Sequence, residues 1–235
     1  NLYDNFQDYL KILHSPDHWL WQEAYTEIMK FDPDVVGVTM KTGSYKSACN
    51  IASLIKRNNP KIITVAGGPH PTLLPVDVMR SGVFDYVVKG EGEEAFSQLL
   101  KAIKTGGAFH DVGGIVFLDN GKPVETPDRE FIADLDSLPF PERDDIVQRH
   151  TYPADALALL MTARGCPHRC TFCASEKIWK RKIRLRSADQ VVAEIKQVKE
   201  KYGARHFIIR DDLFTIHKKR ALEICRIIIK DKVDI

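Results

Sequence analysis

The sequence predicts an α/β protein in which a doubly wound parallel sheet is followed by a second series of βα units. Three short apolar runs in the first half predict buried strands over residues 35–38, 62–65 and 86–88. Apolar residues at helical spacing predict helices between or after these strands, over residues 44–57, 76–80 and 93–104. Strands that are apolar throughout and alternate with helices are typical of a parallel sheet covered on both faces.

The loops after these three strands hold the unusual residues of this half. They cover residues 39–42, 67–70 and 90–93, and they contain the glycines Gly67, Gly68, Gly90 and Gly92. In open parallel sheets, ligands bind where the carboxyl ends of the strands meet. The sequence therefore predicts a ligand site at this edge of the sheet.

The segment from residue 109 to residue 152 differs from both flanking regions. Residues 113–122 predict a β-hairpin, because Asn120 and Gly121 suit a tight turn with positive φ. Prolines at positions 123, 127, 139 and 141 follow among acidic and polar residues, which is typical of a linker. We therefore predict domains over residues 1–108 and 153–235, joined by a hairpin and linker over residues 109–152.

A new βα series follows the linker. Predicted strands cover residues 156–161 and 206–210, and predicted helices cover residues 188–201 and 217–230. Ser187 and Gln190 form a capping-box pattern at the start of the first helix. Two βα units cannot close a barrel, so we interpret this region as the opening part of a (β/α) barrel. Both ends of the sequence look cut, which leads us to expect a piece of a longer protein.

Composition limits the classes of function. Hydrophobic residues make up 44% of the 235-residue chain and charged residues 28%, as in ordinary globular proteins. The net charge of +2 gives no reason to expect nucleic acid as a partner, and no apolar run approaches the ~20 residues of a membrane span. Three of the five cysteines crowd together, which favours a metal site in a reducing compartment over disulfides. We expect a cytoplasmic protein.

The crowded cysteines are Cys166, Cys170 and Cys173, with the spacing C-x3-C-x2-C directly after a predicted strand. Thiolates are the usual ligands of iron–sulfur clusters, and an electron-transfer [4Fe–4S] cluster uses four of them. Three cysteines leave one iron open to a substrate or cofactor. A structural zinc site is the alternative, but tetrahedral zinc usually takes two separated cysteine pairs, and the sequence has no second pair.

The segment around these cysteines resembles the signature of radical S-adenosylmethionine (SAM) enzymes. It reads Met-Thr-Ala-Arg-Gly-Cys-Pro-His-Arg-Cys-Thr-Phe-Cys from Met161 to Cys173. The resemblance implies that the three cysteines hold a [4Fe–4S] cluster whose open iron binds SAM and whose electron cleaves it to a 5′-deoxyadenosyl radical. It also implies an external electron donor of the flavodoxin or ferredoxin type, and SAM contacts from Phe172, Asp211 and Asp212.

The first half resembles the cobalamin-binding domain that precedes the radical domain in some of these enzymes. The resemblance rests on residues 34–39, 67–72 and 90–93, followed by Leu-Asp-Ser-Leu-Pro-Phe-Pro at residues 135–141. It implies a flavodoxin-like fold whose glycines let a large flat ligand approach the backbone. The implied cobalamin contacts are Thr39, Thr42, Gly67, Gly68, Pro69, His70, Gly90, Glu91 and Gly92. The Asp-x-His-x-x-Gly element of some cobalamin proteins is not visible, and His18 does not match it.

Together the two resemblances imply a cobalamin-dependent radical SAM enzyme. The activity that they favour is methyl transfer to an unactivated carbon or phosphorus of a small molecule whose identity is open. Radical cyclisation or rearrangement, as in tetrapyrrole synthesis, is the alternative among enzymes. A non-catalytic iron–sulfur or corrinoid-binding module is the alternative outside them. No residue is assigned as catalytic.

Several of these residues keep a structural alternative. His70 is either a cobalt ligand or an ordinary loop residue, and Glu93 either contacts the cofactor or caps a helix. Asp211 and Asp212 could equally belong to a plain turn. Two arginines could bind a carboxylate or lie on a surface strand: Arg184 and Arg186. Four further residues are interpreted as buried or packing side chains: Cys49, Cys225, Trp19 and Trp21.

Overall fold

The computed structural model describes residues 2–235, with side chains described for residues 6–235. The chain divides into two compact units, which we call unit 1 (Asn1–Phe131) and unit 2 (Ile132–Ile235). Among the described residues, no helix is both long enough and apolar enough to cross a lipid bilayer.

Unit 1 contains a five-stranded sheet whose strands lie side by side in chain order. They are β1 (Val35–Thr39), β2 (Ile63–Gly67), β3 (Tyr86–Val88), β4 (Ile115–Asp119) and β5 (Lys122–Glu125). The first three are parallel, as the apolar runs predicted. The last two are antiparallel and extend the predicted parallel sheet into a mixed one. The reason is that the predicted hairpin pairs with β3.

Helices cover both faces of this sheet. The helices described in unit 1 are α1 (Leu2–Leu13), α2 (Trp19–Met29), α3 (Tyr45–Asn58), α4 (Pro69–Leu73), α5 (Pro75–Arg80) and α6 (Gly92–Thr105). On one face, Ala52 of α3 and Val78 of α5 share a buried cluster with Val87. On the other face, Leu99 of α6 packs with Val65. The α/β fold that the sequence predicted is confirmed.

The two tryptophans of α2 behave differently. Trp21 is buried against Leu13 and Leu54, and its Nε1 donates to the Ile12 carbonyl at 3.3 Å. Trp19 is 64% exposed, so the prediction that it packs was wrong. Residues two apart on a helix do not share a face, and the packed face of α2 is the one that carries Trp21.

The hairpin between β4 and β5 turns at Asn120 and Gly121, whose φ angles are 49° and 76°. Two positive φ values are what a two-residue hairpin turn requires, so this prediction is confirmed. Lys89 follows β3 and is buried, and its Nζ donates to Glu125 at 2.6 Å and to Asp128 at 2.9 Å. These contacts hold the end of the hairpin and Asp128 in unit 1. The chain divides after residue 131, whereas the predicted domain boundaries follow residues 108 and 152.

Unit 2 has shorter strands and relies on two long helices. Its elements are β6 (Leu159–Leu160), β7 (Ala163–Arg164), α7 (Ser175–Trp179), β8 (Arg184–Leu185), α8 (Ala188–Tyr202), β9 (Ile208–Ile209) and α9 (Lys218–Lys230). β6 pairs with β9 in parallel, and β7 pairs with β8 antiparallel. Leu160 joins Val191, Ile195 and Ile224 in the core between strand and helices. This is the βα order that the sequence predicted.

The predicted strands of unit 2 were too long. Residues 154–157 form a 3₁₀ turn, so β6 begins later than the apolar run suggests. The predicted start of β9 is also diverted, because the backbone N–H groups of Arg205 and His206 donate to Asp155 Oδ1 at 2.9 and 3.1 Å. A side-chain carboxylate thus takes N–H groups that a longer strand would have used.

The linker packs into unit 2 through a buried cluster of charges. Arg143 is 6% exposed, and its Nε donates to the Leu157 carbonyl at 2.7 Å. Its Nη2 donates to Glu194 Oε1 at 2.6 Å, while Arg186 Nη1 donates to Glu194 Oε2 at 2.5 Å. One buried carboxylate therefore joins the linker to α8 and to the segment before it.

Another linker contact completes the start of α8. Ser187 Oγ accepts from Gln190 N at 3.2 Å, which confirms the predicted cap. The Ser187 N–H donates to Asp136 instead of to the side chain of Gln190. Asp136 thus supplies the second half of the cap from the linker motif.

Candidate cofactor sites

The carboxyl ends of β1, β2 and β3 open onto a cavity of about 850 Å³, which we call the unit 1 cavity. Its lining includes five of the nine predicted cobalamin contacts: Thr39, Gly67, Gly68, Gly90 and Gly92. Its floor is apolar, with Val65 and Val88 from the sheet and Phe96 and Leu100 from α6. Most small-molecule sites measure about 300–1,000 Å³ and are largely apolar with a few polar groups. The size and lining of the cavity are those of a ligand site.

The two neighbouring glycines of this site have different reasons to be glycine. Gly68 has a φ of 98°, and a Cβ there would lie 2.6 Å from Thr39 Oγ1. The fold itself therefore requires glycine at this position. At Gly67 a Cβ would meet no atom within 4 Å. Gly67 thus leaves free space that the packing of the chain does not use.

Thr72 joins two of the loops, a role that its position in the sequence does not reveal. Its hydroxyl donates to the Gly68 carbonyl at 2.9 Å and accepts from the Gly90 N–H at 3.0 Å. The backbone of Met40 adds a further link, since its N–H donates to the Gly67 carbonyl at 2.9 Å. The rim of the cavity is therefore held by hydrogen bonds that run from strand end to strand end.

Four predicted cobalamin contacts lie outside the lining of this cavity: Thr42, Pro69, His70 and Glu91. His70 is 7% exposed, its Nδ1 lies 3.1 Å from Thr42 Oγ1, and its ring packs against Tyr45 with centroids 4.8 Å apart. Nδ1 of His70 therefore already has a partner within the fold, and a role of His70 as a cobalt ligand stays a prediction. Pro69 begins α4, and Glu91 precedes the first residue of α6.

Part of the lining was missed in the sequence. The missed positions include Gly37 of β1 and, along α6, Phe96, Ser97, Leu100, Lys101 and Lys104. Gly37 offered a signal, because glycine inside a strand often marks a close approach of a ligand or another backbone. The α6 residues recur three or four positions apart, but that pattern also describes any helix with one packed face.

Unit 2 carries the cysteines in a segment between β7 and α7, residues 165–174, which we call the cysteine loop. Gly165 opens it with a φ of 92°, and a Cβ there would lie 2.0 Å from the Lys182 carbonyl oxygen. Only glycine fits so close a contact with backbone. Within the loop, Cys173 N donates to the Cys170 carbonyl at 3.0 Å, which makes a turn of the C-x2-C segment.

The three thiols of this loop are free and accessible. Cys166 is half-buried, Cys170 and Cys173 are exposed, and none is in a disulfide. Among the side chains that the structure describes, no three His, Cys, Asp or Glu residues are already arranged to hold a metal ion. Three free thiols in ten residues nevertheless match the donor set of a cluster with one open iron. Phe172 lies between two of them and is 92% exposed.

Asp211 and Asp212 follow β9, and both side chains accept hydrogen bonds from within unit 2. The Asp211 side chain has no exposed surface, and it accepts from Thr162 N at 2.6 Å and from Ala163 N at 3.0 Å. The Asp211 carboxylate therefore already has partners in the backbone of unit 2, and its contact with SAM stays a prediction. Asp212 is exposed, and its Oδ2 accepts from Ser175 Oγ at 2.6 Å.

The other candidate side chains of unit 2 have structural roles. Arg184 donates to the Ile132 carbonyl at 2.9 Å and lies over the ring of Trp179, and Arg186 binds Glu194. Cys225 is exposed, so its interpretation as a buried thiol was wrong. In unit 1, Cys49 is only partly buried, and desolvation raises the pKa of its thiol.

Comparison with protein families assigns both units. The model of the B12 binding domain matches residues 12–100, within unit 1. The model of the radical SAM superfamily matches residues 160–235, within unit 2. The chain belongs to the radical SAM proteins that carry a B12-binding domain. The order of the two matches is the order that the motifs indicated in the sequence.

Relatives of this B12-binding radical SAM chain include enzymes of two kinds. It is 36% identical over 211 residues to an uncharacterized methyltransferase of Pyrococcus horikoshii, with 88% of this chain and 46% of the relative covered. It is 34% identical over 212 residues to the anaerobic magnesium-protoporphyrin IX monomethyl ester cyclase of Rubrivivax gelatinosus, with 87% and 38% covered. The chain thus spans less than half the length of these curated relatives.

A solved structure shares the fold. The radical SAM methyltransferase TsrM from Kitasatospora setae, solved with tryptophan substrate and a SAM analogue bound, matches with a TM-score of 0.71 and 20% identity. The match covers 92% of this chain and 43% of that chain. It confirms the α/β architecture of the B12-binding radical SAM chain.

Proposed function

We propose that this chain binds cobalamin in unit 1 and a [4Fe–4S] cluster with SAM in unit 2, and that its protein is a methyltransferase. The observation that carries the proposal is the pairing of a glycine-lined cavity at the strand ends of unit 1 with three free thiols in one loop of unit 2. Bound together, these groups would supply one-electron cleavage of SAM and a cobalt centre that carries a methyl group.

In unit 1 the residues of the chain would bind the corrinoid by shape. Gly67, Gly90 and Gly92 leave open space where a side chain would stand. Val65 and Phe96 give the cavity an apolar floor that excludes water from a bound ligand. Thr39 lines the rim and brings a hydroxyl that can donate or accept a hydrogen bond. We keep Thr39 and the four glycines Gly67, Gly68, Gly90 and Gly92 as the proposed contacts.

In unit 2 the chain would supply three thiolates from Cys166, Cys170 and Cys173. A structural zinc site would need a fourth protein ligand and usually takes two separated cysteine pairs, and the sequence has no second pair. A cluster that leaves one iron for SAM needs no fourth ligand. Phe172 is exposed in this loop and stays a proposed SAM contact, and Asp212 is exposed beside the loop. An external flavodoxin-type or ferredoxin-type donor would supply the electron.

The cluster proposal is tested on the anaerobically reconstituted full-length protein. We expect Ala at any one of the three loop cysteines to remove the change that SAM causes in the electron paramagnetic resonance spectrum of the reduced cluster. Cys49→Ala and Cys225→Ala are matched controls and should keep both the iron and the change. Loss of the cluster in either control, with retention in a loop variant, would overturn the assignment.

A cyclase activity is the second candidate, because one relative of comparable identity is named as a cyclase. The two candidates differ in the fate of the SAM methyl group. With isotope-labelled SAM, a methyltransferase should pass the label to the corrinoid fraction and on to a product. Formation of 5′-deoxyadenosine with no label in either fraction would instead favour the cyclase.

A further inference from the structure

The cysteine loop is fixed at its first end by one buried carboxylate. Asp211 Oδ1 accepts from the backbone N–H groups of Thr162 and Ala163, and Asp211 Oδ2 accepts from Thr162 Oγ1 at 2.5 Å. Three hydrogen bonds thus join the end of β9 to the residues that lead into the loop. Bonds of this kind, with an ionised acceptor, are stronger than those between neutral groups.

The other end of the cysteine loop is fixed by Asp212, the residue after Asp211. Ser175 is the first residue of α7 and stands two residues after Cys173. It is 8% exposed, and its hydroxyl donates to Asp212 Oδ2 at 2.6 Å. Asp211 and Asp212, which follow β9, therefore hold the two ends of the loop that carries all three thiols.

Arg220 of α9 supports the first of these contacts. It is 5% exposed, and its Nη1 donates to the Thr162 carbonyl at 2.9 Å while its Nη2 donates to Thr162 Oγ1 at 3.1 Å. Nη2 also lies 3.7 Å from Asp211 Oδ2, so the buried carboxylate faces a cation. A buried carboxylate without such a partner would be strongly destabilising.

We propose that Asp211 and Asp212 are positioning residues that hold the two ends of the cysteine loop at a fixed separation, so that three thiolates reach one cluster. The proposal rests on the proposed cluster in unit 2. Because Asp211 and Asp212 are adjacent in the chain, the two anchored ends cannot drift apart. Closing a chain segment on a ligand costs conformational entropy, and anchored ends reduce that cost. Neither carboxylate needs to touch SAM for this role.

The Asp212–Ser175 contact allows a test that separates positioning from direct binding of SAM. Asp212→Ala and Ser175→Ala each remove the hydrogen bond, whereas Asp212→Asn keeps an oxygen that can accept it. A carboxylate that held the SAM ammonium group by charge would fail in Asp212→Asn as it does in Asp212→Ala. A positioning carboxylate would be rescued by Asp212→Asn.

The experiment measures iron per chain and the SAM-induced spectral change in the reconstituted full-length protein. We expect Asp212→Ala and Ser175→Ala each to lower iron incorporation at least threefold, the double variant to be no worse than either, and Asp212→Asn to stay within twofold of wild type. Equal loss in Asp212→Asn and Asp212→Ala, with Ser175→Ala like wild type, would overturn the proposal. If the losses of iron incorporation in Asp212→Ala and Ser175→Ala added up in the double variant, that would also overturn the proposal. Two residues that act through one shared contact do not give additive effects.

Two controls separate the positioning role from a general effect of substitution and from a failure of the proposed function. Asp145→Ala changes an exposed aspartate of the same unit and should incorporate iron like wild type. Alkylation of the thiols before reconstitution gives a reading that needs no cluster, and Ser175→Ala should change the rates at Cys170 and Cys173 relative to Asp145→Ala. Unchanged rates would count against positioning. A wild-type protein that takes up no iron would instead refute the proposed function itself.

Discussion

The two units prepare their candidate sites in different ways. In unit 1 the cavity is formed by the backbone at three strand ends, and Thr72 links the Gly68 and Gly90 loops that border it. In unit 2 the thiols lie in a loop that does not bring them to one centre, and Asp211 and Asp212 anchor the ends of that loop. In unit 1 the five-stranded sheet forms the cavity through its backbone. In unit 2 the sheets have two strands each, and carboxylates hold the ends of the cysteine loop.

The same contrast extends to what holds each unit together. Unit 1 buries apolar clusters on both faces of a five-stranded sheet. Unit 2 has two-stranded sheets and buries the charged side chains of Arg143, Glu194 and Arg220. Removal of one member of a buried charge cluster should therefore affect unit 2 more than any single contact at its surface.

The largest expected effect is that of Glu194→Ala. This change leaves Arg143 and Arg186 without the carboxylate that joins them, and breaking a buried ion pair costs about 3–5 kcal/mol. Urea unfolding followed by amide exchange in α8 would measure the loss. Glu200→Ala, an exposed glutamate on the same helix, is the control and should stay within about 0.5 kcal/mol. A cost below about 1 kcal/mol for Glu194→Ala would show that the cluster is not structural.

The next effect separates fold from binding in unit 1. Gly68→Ala should cost about 1–3 kcal/mol of stability, because the backbone there is left-handed and the new Cβ would collide with Thr39. Gly67→Leu should fold normally and weaken cobalamin binding about tenfold or more, which is about 1.4 kcal/mol, since its side chain enters the cavity. Thermal unfolding measures the stability of Gly68→Ala, and corrinoid titration measures the affinity of Gly67→Leu. Wild-type affinity in a folded Gly67→Leu would place the corrinoid elsewhere.

Local patterns accounted for the elements that local forces decide. The apolar run at residues 62–65, the turn at Asn120 and Gly121 and the cap at Ser187 all followed from short-range spacing. The burial of His70 did not, because it depends on Thr42 and Tyr45, which approach only after folding.

The candidate sites show the same limit. Spacing was enough to place the cysteines in one loop and the glycines at one sheet edge. It was not enough to show that Asp211 accepts a hydrogen bond from the Thr162 backbone. The sequence pattern of a carboxylate after a strand is the same whether the carboxylate contacts a ligand or the backbone. The α6 side of the unit 1 cavity was missed for the same reason, because its residues look like an ordinary helix face.

A smaller effect concerns the pH dependence of unit 2. Backbone N–H donation from Arg205 and a hydrogen bond from His206 lower the pKa of Asp155 to about 2. A carboxylate with a lowered pKa stabilises the fold above its unfolded pKa of about 3.9 and loses that contribution as pH falls towards 2. The difference in the free energy of unfolding between wild type and Asp155→Asn should therefore shrink as the pH falls from about 4 to about 2. A difference that stays constant across this range would contradict the role of Asp155.

The most direct test of the contrast between the units is amide exchange of the full-length protein with and without each cofactor. We predict that cluster reconstitution strongly increases protection across residues 165–174, because the loop must reorganise to bring three thiols together. Cobalamin should cause a smaller change, confined to the strand ends and α6, because the cavity is already formed. A cysteine loop that is fully protected before reconstitution and unchanged by it would contradict this account.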